Sequence, residues 1–234
     1  MTPAIIAHRG ASALATHENS LESFQIAIDL GADYAEFDIR QTKDKQLIVF
    51  HDSAYEEHSI DSLTYDELNL LTSKKGLLVP LFQEVLNLCK GKIKLDIELK
   101  ESGFEKEVIK MVTKDFSYDT FMIKSFLDEC VANIHSIDPS IKKGLLLGKA
   151  KAGFITRLTE YFPMKRVKKC HADFVSPNKR FITRGFLLRM KKAEKDVYAW
   201  TVNHPTNIKS LLKHKVTGII TDRPDIALKL RDNI

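Results

Sequence analysis

The chain has 234 residues, is 44% hydrophobic and carries a formal net charge of +5 at pH 7. Length and apolar content support a sizeable core, while every apolar run is too short for a membrane-spanning helix. Cys89, Cys130 and Cys170 are odd in number and far apart, which excludes a disulfide framework and a CxxC metal pair.

In chain order, "AIIAH" (4–8) reads as a first strand. His8 and Arg9 follow too early for a signal-peptide core, so a cytoplasmic protein is expected. A helix over 20–30 follows, with Leu21, Phe24, Ala27 and Ile28 on one face, Asn19 as its N-cap and Gly31 as its stop. "YAEFDIRQ" (34–41) and a returning "QLIVF" (46–50) predict a hairpin. Helical stretches near 64–72 and 80–90 come next. Then strands and helices alternate: strand 92–100, helix 103–115, strand 120–126, helix 127–136, strand 141–148, helix 153–168. The rhythm continues through strand 172–176, helix 183–192, strand 197–203, helix 206–214 and strand 217–222, with Pro224 opening a last helix. About eight βα units in one chain predict an α/β fold, a TIM-type (β/α)8 barrel of one domain over 1–234, extended by a β-hairpin after the second strand. The alternative is an open doubly wound sheet, weakened by the lack of GxGxxG after the first strand.

The excess positive charge gathers in 164–170 and 178–195. Solvated helix faces account for such runs, which also suit anionic substrates and leave room for peripheral membrane contact. Aromatics do not interleave with these charges as a stacking platform would need, so nucleic acid is not an expected partner.

Two strands have a polar face. In 34–40, Tyr34, Glu36, Asp38 and Arg40 oppose Ala35, Phe37 and Ile39; in 92–100, five charged residues oppose Ile93, Leu95, Ile97 and Leu99. In a half-exposed antiparallel sheet that face would meet water. In a parallel barrel it points inward, and its carboxylates need cations. Glu36, Asp38 and Glu98 then lie near the C-terminal strand ends with His8, Arg9 and Lys100. A two-residue turn at Asp44-Lys45 would pair Thr42 with Leu47, Arg40 with Val49 and Asp38 with His51, returning His51 to the carboxylates. Three carboxylates without clustered thiolates suit one hard divalent cation, Mg²⁺ or Ca²⁺. Arg9 and Lys100 can hold further anionic oxygens, and His8 with His51 can serve as acid and base, which together describe phosphoester cleavage.

The motifs "AHRG", "HENS", "EFDIRQTKDKQLIVFHD", "LDIELK", "KSF", "AWTVN" and "GIITDRPD", in that order, resemble glycerophosphodiester phosphodiesterases. The resemblance implies a TIM-type barrel, a bound divalent ion, and hydrolysis of small glycerophosphodiesters to sn-glycerol 3-phosphate and an alcohol. It implies catalytic roles for His8 and His51, metal-binding roles for Glu36, Asp38 and Glu98, and phosphate contacts for Arg9 and Lys100. Trp200 and Phe126 match substrate-pocket aromatics, and Glu18 and Asn19 the loop before the first helix. His17 replaces a proline common in the family and reads as an exposed loop residue; Lys45 replaces the usual turn glycine. The competing readings are a lysophospholipase D or phospholipase C-like activity on lipid phosphodiesters, and a barrel that binds phosphodiesters without turnover.

Overall fold

Eight parallel strands close on themselves in the computed structural model, which describes residues 2–149 and 153–233. The first half runs β1 (Ala4–Ala7), α1 (Leu21–Asp29), β2 (Tyr34–Gln41), β3 (Leu47–Val49), the two-residue strands β4 (Ala54–Tyr55) and β5 (His58–Ser59), α2 (Tyr65–Thr72), α3 (Phe82–Cys89), β6 (Lys94–Leu99), α4 (Glu105–Val112), β7 (Phe121–Ser125) and α5 (Asp128–Ile137). The second runs β8 (Lys143–Leu147), α6 (Phe154–Tyr161), α7 (Met164–Lys169), β9 (Phe174–Pro177), α8 (Arg184–Lys192), β10 (Asp196–Ala199), α9 (Pro205–Lys213), β11 (Gly218–Thr221) and α10 (Pro224–Asp232). Parallel pairing follows the order β2, β6, β7, β8, β9, β10, β11, and β1 joins both β11 and β2 to close the ring. β3 adds antiparallel to β2 outside the closed set. The predicted TIM barrel and its hairpin are therefore present, and Pro224 stands in the first turn of the closing helix.

The outer faces of β2 and β6 bury Ala35, Phe37, Ile39, Leu95, Ile97 and Leu99 in one cluster with Phe24 of α1 and Phe82 of α3. Covering that apolar face leaves the alternate residues no direction but inward. Glu36, Asp38 and Asp96 are at most 1% exposed as a result.

Three local expectations need correction. The α1 N-cap is Ser20, not Asn19: the Ser20 side chain accepts from the Ser23 backbone N–H, and the Ser23 hydroxyl oxygen accepts from the Ser20 N–H. Asn19 sits at φ 52°, outside the helix, and its amide serves the site instead. The predicted helix over 153–168 is two helices, because Pro163 forces Phe162 out of the helical region, to φ −123° and ψ 66°. The hairpin register is Ile39 with Val49, Arg40 with Ile48 and Gln41 with Leu47, one residue from the predicted pairing. Thr42 closes the loop on Gln46, and Lys45 takes φ 64°, the left-handed position of a three-residue turn. Lysine does here what glycine does at lower cost.

All three cysteines are buried and unpaired. Burial pushes the Cys89 thiol up to about 12 and raises Cys130 and Cys170 as well. A disulfide-exchange reagent at mildly alkaline pH is expected to label no thiol in the native protein and all three after denaturation. Prompt labelling of the folded chain would contradict this packing.

Candidate active site

The loop after β1 turns sharply. Arg9 and Gly10 take φ 53° and 76°, so the Arg9 N–H donates to Glu36 Oε2 at 3.0 Å and the Gly10 N–H to the Glu36 carbonyl at 3.1 Å. A Cβ on Gly10 would lie 2.3 Å from Ser23 Oγ, itself hydrogen-bonded to the Arg9 carbonyl. Gly10→Ala is therefore expected to cost about 2–4 kcal/mol through left-handed strain and overpacking. A denaturation midpoint equal to wild type would contradict that assignment.

Register builds the floor of the site. Across β2 and β6, Asp38 stands beside Glu98 and Glu36 beside Asp96; across β6 and β7, Glu98 stands beside Lys124. Glu36, Asp38 and Glu98 each bring a carboxylate oxygen within 4.8 Å of the others. Lys100 Nζ reaches Asp38 Oδ1 at 2.8 Å and Glu98 Oε1 at 2.6 Å. Lys124 Nζ reaches Asp96 Oδ2 at 2.6 Å and Glu36 Oε1 at 3.2 Å. Arg9 bridges Asp38 at 3.3 Å and Glu18 at 2.6 Å, and Asn19 Nδ2 donates to Asp38 Oδ2 at 2.9 Å.

Charge balance differs from one carboxyl to the next. Burial works against ionising Asp38, but Lys100 and Arg9 overcome it and hold the group far below the usual range. Burial pushes Glu98 up to about 7 and Asp96 up to about 6, with Lys100 and Lys124 offsetting only part. Burial disfavours a charged Lys124, yet Asp96 and Glu36 raise its pKa further still. A hard divalent cation fits this donor set: three convergent carboxylates, incompletely neutralised, beside an Asn19 Oδ1 that is buried without a hydrogen-bond partner.

Two imidazoles flank the acids. His8 Nδ1 meets Asp222 Oδ1 at 2.6 Å, and its Nε2 lies 4.0 Å from Glu36 Oε2. Asp222 also accepts from Ser12 and Asn203. Burial opposes the charged form of His8, but Glu36 and Asp222 outweigh it and raise the pKa. His51 moves the other way: burial and Lys100 lower it despite Asp38. With the register shifted, His51 is not paired with Asp38. It enters past the strand end, where Arg40 Nε and Nη2 donate to its carbonyl at 2.9 and 2.7 Å.

His8, Arg9, His51, Lys100, Phe126 and Trp200 all border one cavity of about 700 Å³ at the C-terminal mouth, with Glu36 and Glu98 in its wall. Asp38 lies just behind that wall, against Arg9 and Lys100. The Phe126 and Trp200 rings meet edge to face at 5.6 Å, and Trp200 Nε1 donates to the Ser176 carbonyl at 2.7 Å. His17 is half-buried rather than exposed, and borders a smaller cavity on the other side of His51. Sequence reasoning did not single out Lys124, Asp222 or Arg40. Lys124 carried a signal, a lysine at an inward position of an apolar strand; Asp222 carried another, an acid at the end of the last barrel strand.

These features define a class, a TIM-barrel enzyme whose mouth brings cationic side chains and two imidazoles over a buried acidic trio. The glycerophosphoryl diester phosphodiesterase family profile matches residues 8–226. The glycerophosphodiester phosphodiesterase of Caldanaerobacter subterraneus subsp. tengcongensis is 28% identical, over 98% of this chain and 98% of its own. The crystal structure of the glycerophosphodiester phosphodiesterase of Thermotoga maritima superposes with a TM-score of 0.80 at 25% identity, covering 98% of this chain and 99% of that one. A phosphodiesterase of Oleispira antarctica, solved with sn-glycerol-3-phosphate, gives a TM-score of 0.83 at 20% identity, covering 99% and 97%. The chain belongs to the glycerophosphoryl diester phosphodiesterase family, and is a phosphodiesterase.

Proposed function

We propose that the protein hydrolyses water-soluble glycerophosphodiesters to sn-glycerol 3-phosphate and an alcohol, with His8 and His51 as the acid–base pair. The observation that carries this reading is that both imidazoles, Arg9 and Lys100 border one cavity whose floor holds three buried carboxylates. Glu36, Asp38 and Glu98 would hold a single divalent ion, Mg²⁺ or Ca²⁺, which supplies Lewis-acid stabilisation of charge on the phosphoryl oxygens. Arg9 and Lys100 orient the diester through its remaining anionic oxygens. One imidazole takes the proton from the attacking hydroxyl as the new P–O bond forms; that hydroxyl is either the substrate's own glycerol hydroxyl, giving a cyclic phosphate that water then opens to glycerol 3-phosphate, or water attacking directly. The other gives a proton to the departing alcohol oxygen as its P–O bond breaks. Phe126 and Trp200 offer an apolar wall to the carbon skeleton. The three unpaired thiols suit a reducing compartment, the cytoplasm.

The test is release of glycerol 3-phosphate from a panel of glycerophosphodiesters, with chelator and with Mg²⁺ or Ca²⁺ restored. Turnover lost on chelation and regained with either ion is expected. Faster turnover of lysophosphatidylcholine than of any soluble diester would shift the reading to a lysophospholipase D. Binding without release of product would shift it to a non-catalytic barrel.

A further inference from the structure

Helix α6 is amphipathic the wrong way round. Phe154, Leu158 and, just past its end, Phe162 are 84%, 52% and 59% exposed, whereas Glu160 is buried at 1%. The Glu160 carboxylate accepts from the Gly148 N–H at 2.7 Å, the Lys149 N–H at 2.9 Å and Arg157 Nη1 at 2.8 Å. The polar face thus anchors the helix to the end of β8, and the apolar face stands in solvent. None of its described side chains joins a hydrophobic core cluster; α7 does that work, with Val167 buried and Met164 packed beside it. An apolar stripe this exposed marks a contact surface.

The stripe continues onto α8. Arg189 lies 4.8 Å over the Phe162 ring, its Nη2 donates to the Tyr161 carbonyl at 3.1 Å, and its neighbour Leu188 is 58% exposed. The surroundings are basic. Between 153 and 193 the sequence holds eleven Lys and Arg against two acids. One acid is the buried Glu160 and the other, Asp173, is paired with Lys143. Arg184 and Lys191 of α8, with Lys195, Lys213 and Lys215 beyond it, border a groove of about 490 Å³ that no carboxylate lines among the described residues.

We propose that the flank formed by α6 and α8 docks on a lipid bilayer carrying anionic headgroups. Aromatic and aliphatic side chains standing out from a helix, ringed by Lys and Arg, match the chemistry of the headgroup–acyl boundary. A second copy of this chain does not fit, because two such flanks would bring like charges together. The position matters for access: α6 follows the C-terminal end of β8, and Lys149 borders the large cavity, so docking by this flank brings the mouth close to the surface. The inference is independent of the roles given to His8 and His51.

Co-sedimentation with vesicles tests it. The wild-type protein is expected to bind mixed phosphatidylglycerol–phosphatidylcholine vesicles, less so as salt rises, and pure phosphatidylcholine weakly. The pair Phe154→Ser with Leu158→Ser, and separately Lys191→Glu with Lys192→Glu, should each weaken partitioning by about tenfold or more. Both should leave kcat/KM on dissolved glycerophosphocholine unchanged, which shows that the variants are folded. No binding of the wild-type protein to mixed vesicles overturns the proposal, as does equal binding to both vesicle types. Undiminished binding by both pairs, or concentration-dependent self-association in sedimentation that the Phe154 pair abolishes, overturns it too.

Discussion

His8→Ala and His51→Ala are each expected to lower turnover on glycerophosphodiesters about 10²–10⁴-fold, the range for a positioned acid or base. The two environments explain why this loss should not be mistaken for unfolding. Removing the His8 ring strips one partner from Asp222, which still accepts from Ser12 and Asn203. The His51 side chain is 35% exposed and its ring meets Asp52 at the surface, so its loss costs the core little. Both variants should keep cooperative melting within a few degrees of wild type, about 1 kcal/mol or less. With the two imidazoles proposed to act in one displacement, the double variant is expected to lose far less than the product of the single losses. Steady-state assays at saturating substrate, beside thermal melts, decide the matter. Wild-type turnover in either single variant removes that histidine from the mechanism.

What the sequence showed of this site depended on period two. Alternation in "AEFDIR" and "LDIEL", taken with the repeated βα units that call for helices over the apolar face, predicts that Glu36, Asp38 and Glu98 share a barrel interior; alternation alone fits a half-exposed sheet equally. The same alternation does not reveal register between strands, which is set by turn geometry. The sequence expectation is a two-residue turn at Asp44-Lys45; Lys45 in a left-handed conformation makes it three, and every hairpin pair moves by one. His51 nonetheless reaches the cavity, held through its carbonyl by Arg40 rather than opposite Asp38. Asp222 lies 214 positions from its partner His8, and only barrel closure, β1 against β11, brings them together. The break between α6 and α7 was visible in the Phe-Pro pair at 162–163, and periodicity alone ran past it.

Cation binding should respond differently to two isosteric changes, and the difference is a test of the acidic trio by stability alone. In chelated wild-type protein, adding Mg²⁺ or Ca²⁺ to one hundred times its dissociation constant should stabilise the fold by about 2.7 kcal/mol. Asp38→Asn should abolish that gain and also destabilise the cation-free protein. Lys100 and Asn19 direct N–H groups at Asp38, with the Arg9 guanidinium 3.3 Å away as a further positive charge, and an asparagine there would face them with donors of its own. Unmatched buried donors cost about 1–3 kcal/mol. Glu98→Gln should abolish the gain without that penalty. Burial already disfavours the ionised Glu98, lifting it to about 7, and the glutamine oxygen can still accept from Lys100 where Glu98 Oε1 does now, at 2.6 Å. The cation-free Glu98→Gln protein should therefore melt at or above the chelated wild type, yet show no shift when the ion is added. The same variant should be inactive in the glycerol 3-phosphate assay at any cation concentration that saturates wild type. A full ion-dependent shift in Glu98→Gln would place the cation elsewhere, and a cation-free Asp38→Asn protein as stable as wild type would mean that Lys100 and Arg9 do not bear on that carboxylate as described.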